Sequence, residues 1–131
     1  MKYFLSVALA LFSVQLCAQN LSGNWGYSID GRQITLYGDK IENNNYSGRS
    51  GTLKVALWAS DRQYNGGTIN GYQLYEIQLD PLDAGYYYHD ISNTGYCSYP
   101  PDGGYYLTIL LLEYNNGFEI VDHLSMKYTR F

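Results

Sequence analysis

The sequence is poor in cysteine, proline, histidine and charge. Among its 131 residues there are two cysteines, three prolines and two histidines, and 15% of residues are charged. So few cysteines exclude a disulfide-rich scaffold, which needs several bridges. No Gly-x-Ser-x-Gly elbow is present, and no His–Asn arrangement for a cysteine nucleophile can be recognised. The sequence therefore predicts no catalytic residues and no cofactor.

Long hydrophobic runs are also missing after the N-terminus. The apolar run 105–112 is about half the length of a membrane span. Before it, Lys2, the apolar segment 4–12 and the small or polar residues 17–19 are typical of a secretory signal peptide. We predict a signal peptide over 1–19, cut after Ala18 or Gln19, and a domain over 20–131 without a membrane span. An uncleaved anchor is one alternative. Lipid attachment at Cys17 is another, disfavoured because Leu16 is large.

The formal charge of −4 restricts the partners. An acidic domain lacks the basic surface that binds nucleic acid, and anionic lipid repels it. Removal of the signal peptide leaves Cys97 as the only cysteine, so no internal disulfide can form. We expect Cys97 to be buried as a small apolar residue rather than to pair between chains.

Tyrosine and glycine are abundant, with 16 and 14 residues. Tyrosine favours strands and glycine favours turns, and no segment has helical periodicity. The predicted strands are 24–29, 32–37 with a continuation over 40–43, 52–60, 71–79, 86–91, 105–114 and 118–126, with an extension of the last strand over 127–131 left open. Residues 92–95 interrupt the chain after the fifth strand. This spacing predicts an antiparallel immunoglobulin-like sandwich of about seven strands. An up-and-down barrel is the alternative.

Alternation assigns faces to several strands. In 105–114, Tyr105, Leu107, Ile109 and Leu111 should face one way and the residues between them the other, and both sides are apolar enough for burial. In 52–60 the core set is Leu53, Val55, Leu57 and Ala59. Strand 71–79 has two mixed faces, which indicates an edge strand. In the last strand Phe118, Ile120, Asp122 and Leu124 should share a face.

The segment Asp102-Gly103-Gly104-Tyr105-Tyr106 has the Asp-x-Gly-x-Tyr spacing that precedes a central strand in many immunoglobulin-like folds. It resembles the tyrosine corner, with Tyr106 as the tyrosine that bonds back to the turn and Thr108 where an immunoglobulin domain has its second cysteine.

The order of segments 41–58 and 79–124 is similar to that of bacterial secreted immunoglobulin-like modules, of the cell-adhesion-related (CARDB) and fibronectin type III-like kinds. The resemblance covers about three quarters of the domain and implies a non-catalytic module. It transfers no functional residue, because these modules have no functional motif.

His89 and His123 each adjoin an aspartate, but neighbours on a strand point to opposite faces, so neither pair should act together. We also expect the two histidines in different sheets, which predicts no metal site. Asp80, Asp83 and Asp102 lie in predicted loops and could hold calcium, although turn aspartates are common without it.

Aromatic side chains are the stronger functional indication. Exposed aromatic rings beside polar groups are suited to sugar rings and to protein partners, although most tyrosines in a sandwich pack against the sheets. The candidate ligand-binding residues are Trp58, Tyr64, Tyr72, Tyr75 and Tyr87. They predict a secreted or periplasmic binding or adhesion module for a surface polysaccharide or an extracellular protein. The alternative is an inhibitor or accessory factor of a partner enzyme, which would use the polar loop 61–70.

Overall fold

The computed structural model describes residues 19–131, and the predicted signal peptide lies almost entirely outside that range. Seven strands form within it: β1 Gln19–Asp30, β2 Gln33–Asn43, β3 Leu53–Ser60, β4 Tyr72–Leu79, β5 Tyr87–Tyr96, β6 Gly104–Tyr114 and β7 Phe118–Arg130.

The strands pair in two antiparallel sheets. One has the order β1-β2-β5 and the other β4-β3-β6-β7. The predicted all-β immunoglobulin-like sandwich of seven strands is therefore confirmed. The fourth strand joins the third in the larger sheet, whereas constant-type immunoglobulin domains place it beside the fifth. No helix in residues 19–131 is long and apolar enough to cross a membrane.

Two strands are longer than their sequence indicated. β1 begins at Gln19 because its first residues pair with the end of β2, beyond a bulge between Ser22 and Trp25. β5 runs on through 92–95, where we predicted an interruption. These polar residues pair with β2 from Ile34 to Tyr37, so backbone pairing overrides their turn-like composition.

The core lies between the sheets and takes alternate residues from each strand. The predicted inward faces of β3 and β6 are confirmed, because both sets of residues belong to one buried cluster with Ile34, Leu36 and Ile41 of β2. Burial of these side chains supplies most of the driving force for folding. Cys97 is buried in the same cluster, as predicted, and burial raises the pKa of its thiol.

The central strands β3 and β6 of the larger sheet are also covered on the face that points away from the core. Ala56, Thr108 and Leu110 are completely buried although they point away from the core. They are the centre of the surface that we call the covered face, the outer side of the four-stranded sheet. The loop 61–71 packs over this face. Its Gln63 Nε2 donates a hydrogen bond of 3.3 Å to Ser125 Oγ of β7.

The tyrosine corner is formed by Tyr105, not by Tyr106 as predicted. The Tyr105 hydroxyl donates to the carbonyl oxygen of Pro101 at 2.8 Å, and its ring is buried. Tyr106 points outward and packs edge-on against Tyr128. The position of the second immunoglobulin cysteine, two residues after the corner, is therefore Leu107 and not Thr108.

The face assignment of β7 is wrong at its start. Register shifts between Leu111 and Leu112 place Ile120 opposite Leu112 but Asp122 opposite Leu111, so Ile120 and Asp122 lie on opposite faces. A bulge adds one residue to one strand, and this reverses the alternation beyond it. The prediction of β4 as an edge strand is confirmed.

Candidate functional site

The structure does not bring the five predicted aromatic residues into one patch. Tyr64 is only 8% exposed: its ring lies edge-on to His123 with centroids 4.8 Å apart, and its hydroxyl donates to Gly67 O at 2.6 Å. Trp58 is half-buried at the same sheet, where its indole N–H donates to Gln73 Oε1 at 3.2 Å. Both side chains are held by their own neighbours.

The other three predicted residues lie apart from these. Tyr72 is exposed at one end of β4 and stacks edge-on with Tyr105. Tyr75 reaches across to β5 and donates a hydrogen bond to Asn93 Oδ1. Tyr87 lies on β5 at the opposite sheet, with Lys40 Nζ 4.5 Å from its ring centroid.

The outer surface of the three-stranded sheet, which we call the open face, is not covered by any described segment. Thr35 and Thr94 lie at its centre, with their hydroxyl oxygens 2.8 Å apart, and Ser92 lies beside them. The exposed ring of Tyr96 closes one end, where Arg32 donates to its hydroxyl. This face presents hydroxyl groups and aromatic rings to solvent.

Tyr37 lies across the open face, and Gly26 makes this position possible. The two residues are directly paired between β1 and β2. A Cβ at residue 26 would stand 2.8 Å from the Tyr37 hydroxyl and 3.0 Å from its ring, so the Tyr37 ring would have to shift. The ring of Tyr37 therefore lies over bare backbone, and 44% of the side chain remains exposed.

Beside Tyr37 a groove of about 560 Å³ separates the edge strands β1 and β7. We call it the aromatic groove. It is lined chiefly by Tyr27, Tyr37, Tyr99, Lys127, Arg130 and Phe131. Small-molecule sites have this size and this mixture of aromatic surface with a few polar groups.

The base of the aromatic groove is braced by neighbouring rings. Tyr99 and Phe131 meet edge-on with centroids 5.7 Å apart, and Phe131 meets Tyr105 at 6.1 Å. Across the groove the hydroxyl oxygens of Tyr27 and Thr129 are 3.2 Å apart. A surface held in this way loses little conformational entropy when it binds a ligand.

The titratable side chains of the described residues were also candidates for a functional site. Within residues 19–131, no three His, Cys, Asp or Glu side chains are grouped to hold a metal ion. His89 on β5 and His123 on β7 lie in different sheets, as expected. His89 Nδ1 nevertheless contacts Asp90 Oδ2 at 3.1 Å, against our prediction, because Asp90 has a φ of 51° that disturbs the alternation.

Of the loop aspartates proposed for calcium, Asp83 has another contact. Asp83 accepts a hydrogen bond from Arg49 Nε at 2.7 Å. Asp102 lies in the turn before β6, far along the chain from Asp80, and neither belongs to an acidic group in the described chain.

Tyr37 and Gly26 were missed by our sequence analysis, although a signal for their contact exists. Asp30-Gly31-Arg32-Gln33 forms a two-residue hairpin turn with Gly31 at φ 63°. Glycine at the first central position is typical of the type II′ turn, which sets the register of both strands. Counting back from this turn pairs Gly26 with Tyr37.

The chain matches no protein-family model, no curated protein and no solved structure.

Proposed function

We propose that this protein is a secreted, non-catalytic binding module that holds a polysaccharide chain on the open face and in the adjoining aromatic groove. The observation that carries the proposal is the exposed ring of Tyr37 lying over Gly26. An aromatic ring laid along a flat sheet gives a sugar ring an apolar surface on which to pack.

The surroundings of Tyr37 suit a sugar better than a purely apolar ligand. The hydroxyl groups of Thr35, Thr94 and Ser92 lie on the same face and can exchange hydrogen bonds with sugar hydroxyls. At about 3.3 Å per residue, the four-residue step from Gln33, the partner of Tyr96, to Tyr37 spans about 13 Å. Two aromatic rings at the ends of such a strip favour an extended ligand over a compact one.

Of the five predicted site residues, only Tyr87 lies on the sheet that carries the open face. The loop 61–70, which an inhibitor would use, packs on the other sheet. The polar residues of this loop are exposed, but its one aromatic ring, Tyr64, is buried beneath them. The open face instead combines exposed aromatic rings with hydroxyl groups, and for this reason we favour polysaccharide binding. The resemblance to adhesion-type modules is in keeping with a non-catalytic role.

The test is binding of the purified domain, residues 19–131, to a panel of immobilised polysaccharides. We expect retention by at least one of them, and loss of retention in Tyr37→Ala. Tyr46→Ala is the matched control, because Tyr46 is a fully exposed tyrosine in the loop after β2. Absence of retention across the whole panel, or equal effects of the two variants, would refute the proposal. If Tyr37 instead proves necessary for binding an extracellular protein, the ligand is a protein and not a polysaccharide.

A further inference from the structure

Two cations lie on the wall of the aromatic groove. Lys127 and Arg130 belong to β7 and are both exposed. No Asp or Glu side chain is among the described residues that line this groove. The described side chains that line the groove therefore include two cations and no carboxylate, in a protein whose formal charge is −4.

These cations are also not engaged in ion pairs. The ion pairs of residues 19–131 that involve a lysine or arginine use Lys40, Arg49 and Lys54. Lys127 and Arg130 make no ion pair there, although acidic residues outnumber basic ones in this sequence. Their charges are thus not neutralised by an ion pair among the described residues, at the border of a groove with aromatic walls.

We propose that the aromatic groove binds carboxylate groups of an acidic polysaccharide, a chain that contains uronic acid residues. This inference rests on the proposed function and adds the chemical class of the ligand. The planar guanidinium of Arg130 can donate two parallel hydrogen bonds to a carboxylate, and Lys127 supplies a second positive charge. Tyr37 and Tyr99 provide the apolar surface for the sugar rings.

The overall charge of the protein makes this binding depend on the groove. A polyanion is repelled by a protein of net charge −4, so the attraction must be local. Removing the two charges should then lower the affinity for an acidic polysaccharide and leave the affinity for a neutral one unchanged.

The experiment compares polygalacturonic acid with its fully methyl-esterified form, which has the same sugar chain without the charges. Binding is measured by isothermal titration calorimetry with wild-type protein and with Lys127→Gln/Arg130→Gln. We expect the wild type to prefer the acid, and the double variant to lose about tenfold in affinity for the acid only. Arg62→Gln is the control, because Arg62 is an exposed cation in the loop 61–71.

The outcomes separate this inference from the proposed function. Equal affinity for the acid and the ester, or an acid affinity that is unchanged in the double variant, would overturn the inference while polysaccharide binding stands. No binding of wild-type protein to either polymer would also overturn it. If the panel of polysaccharides then shows none retained, the proposed function fails with it. Unchanged far-UV circular dichroism and melting temperature show that the variant is folded.

Discussion

The two outer faces of the sandwich differ although both belong to antiparallel sheets that carry tyrosines. On the covered face Thr108 and Leu110 are completely buried, and Tyr64 from the loop 61–71 packs against this sheet. On the open face Tyr37 and Thr94 remain in solvent. Tyr64 on the covered face is buried and packs on its sheet, whereas Tyr37 on the open face keeps much of its ring in solvent. Residue type alone does not distinguish a tyrosine that will be buried from one that will be exposed.

The largest expected difference between the faces concerns stability. Leu110→Ala should lower the free energy of unfolding by about 2–5 kcal/mol, because it removes a buried side chain and leaves a cavity. Thr94→Ala on the open face should cost less than about 1 kcal/mol. Urea unfolding followed by circular dichroism measures both values. Similar costs for the two variants would show that the covered face is not packed as a second core.

A second comparison makes the same substitution on both faces. Within residues 19–131, Thr108 Oγ1 is buried and has no hydrogen-bond partner. Thr108→Val keeps the shape and removes the unpaired hydroxyl, so we expect stabilisation by about 1 kcal/mol. Thr35→Val loses the bond to Thr94 and should be neutral or slightly destabilising. The same urea titrations give the sign of each change in the free energy of unfolding. Destabilisation by Thr108→Val would show that the Thr108 hydroxyl has a hydrogen-bond partner.

Neighbouring residues of β6 offer a smaller test across one strand. Tyr105→Phe removes the hydroxyl that donates to Pro101 O, and we expect the melting temperature to fall by about 2–6 °C. Tyr106→Phe should leave it unchanged, because this side chain points outward. Differential scanning calorimetry is the measurement. The reverse pattern would restore Tyr106 as the corner residue.

The smallest effect is expected in alkaline solution. Burial raises the pKa of Tyr64 above its ordinary value of 10.0. Folding then disfavours the tyrosinate, so the contribution of Tyr64 to stability is complete below about pH 10 and is lost as pH rises toward the raised pKa. Tyr64→Phe should weaken the fall in melting temperature between pH 9 and 11. An identical pH profile for both proteins would show that Tyr64 is solvated.

Much of the fold could be predicted from the sequence because hydrophobic alternation is a local property. The turn residues around 30–31 and 115–117 and the apolar alternation in 53–59 and 105–111 define strands and inward faces without any knowledge of distant contacts. The predictions failed at bulges. One added residue in β7 reversed the alternation, and no composition signal marks it.

The candidate site was less accessible to sequence analysis. A tyrosine that will be buried and one that will be exposed have the same composition signal. Tyr64 was chosen and Tyr37 was not, because no local pattern shows that the loop 61–71 folds onto the larger sheet and leaves the smaller one open. The position of Lys127 and Arg130 at the groove likewise depends on two edge strands that are distant in the chain.

The sequence by itself therefore determined the central parts of the strands and the inward faces of β3 and β6, and its short hairpin turn contained the pairing of Gly26 with Tyr37 that our predictions missed. These depend on residues that are close in the chain. Only the tertiary structure decided which outer face is covered, which tyrosines reach solvent and which cations border an aromatic groove. These properties depend on how loops and sheet edges meet in space, and side-chain exposure is set by those long-range contacts.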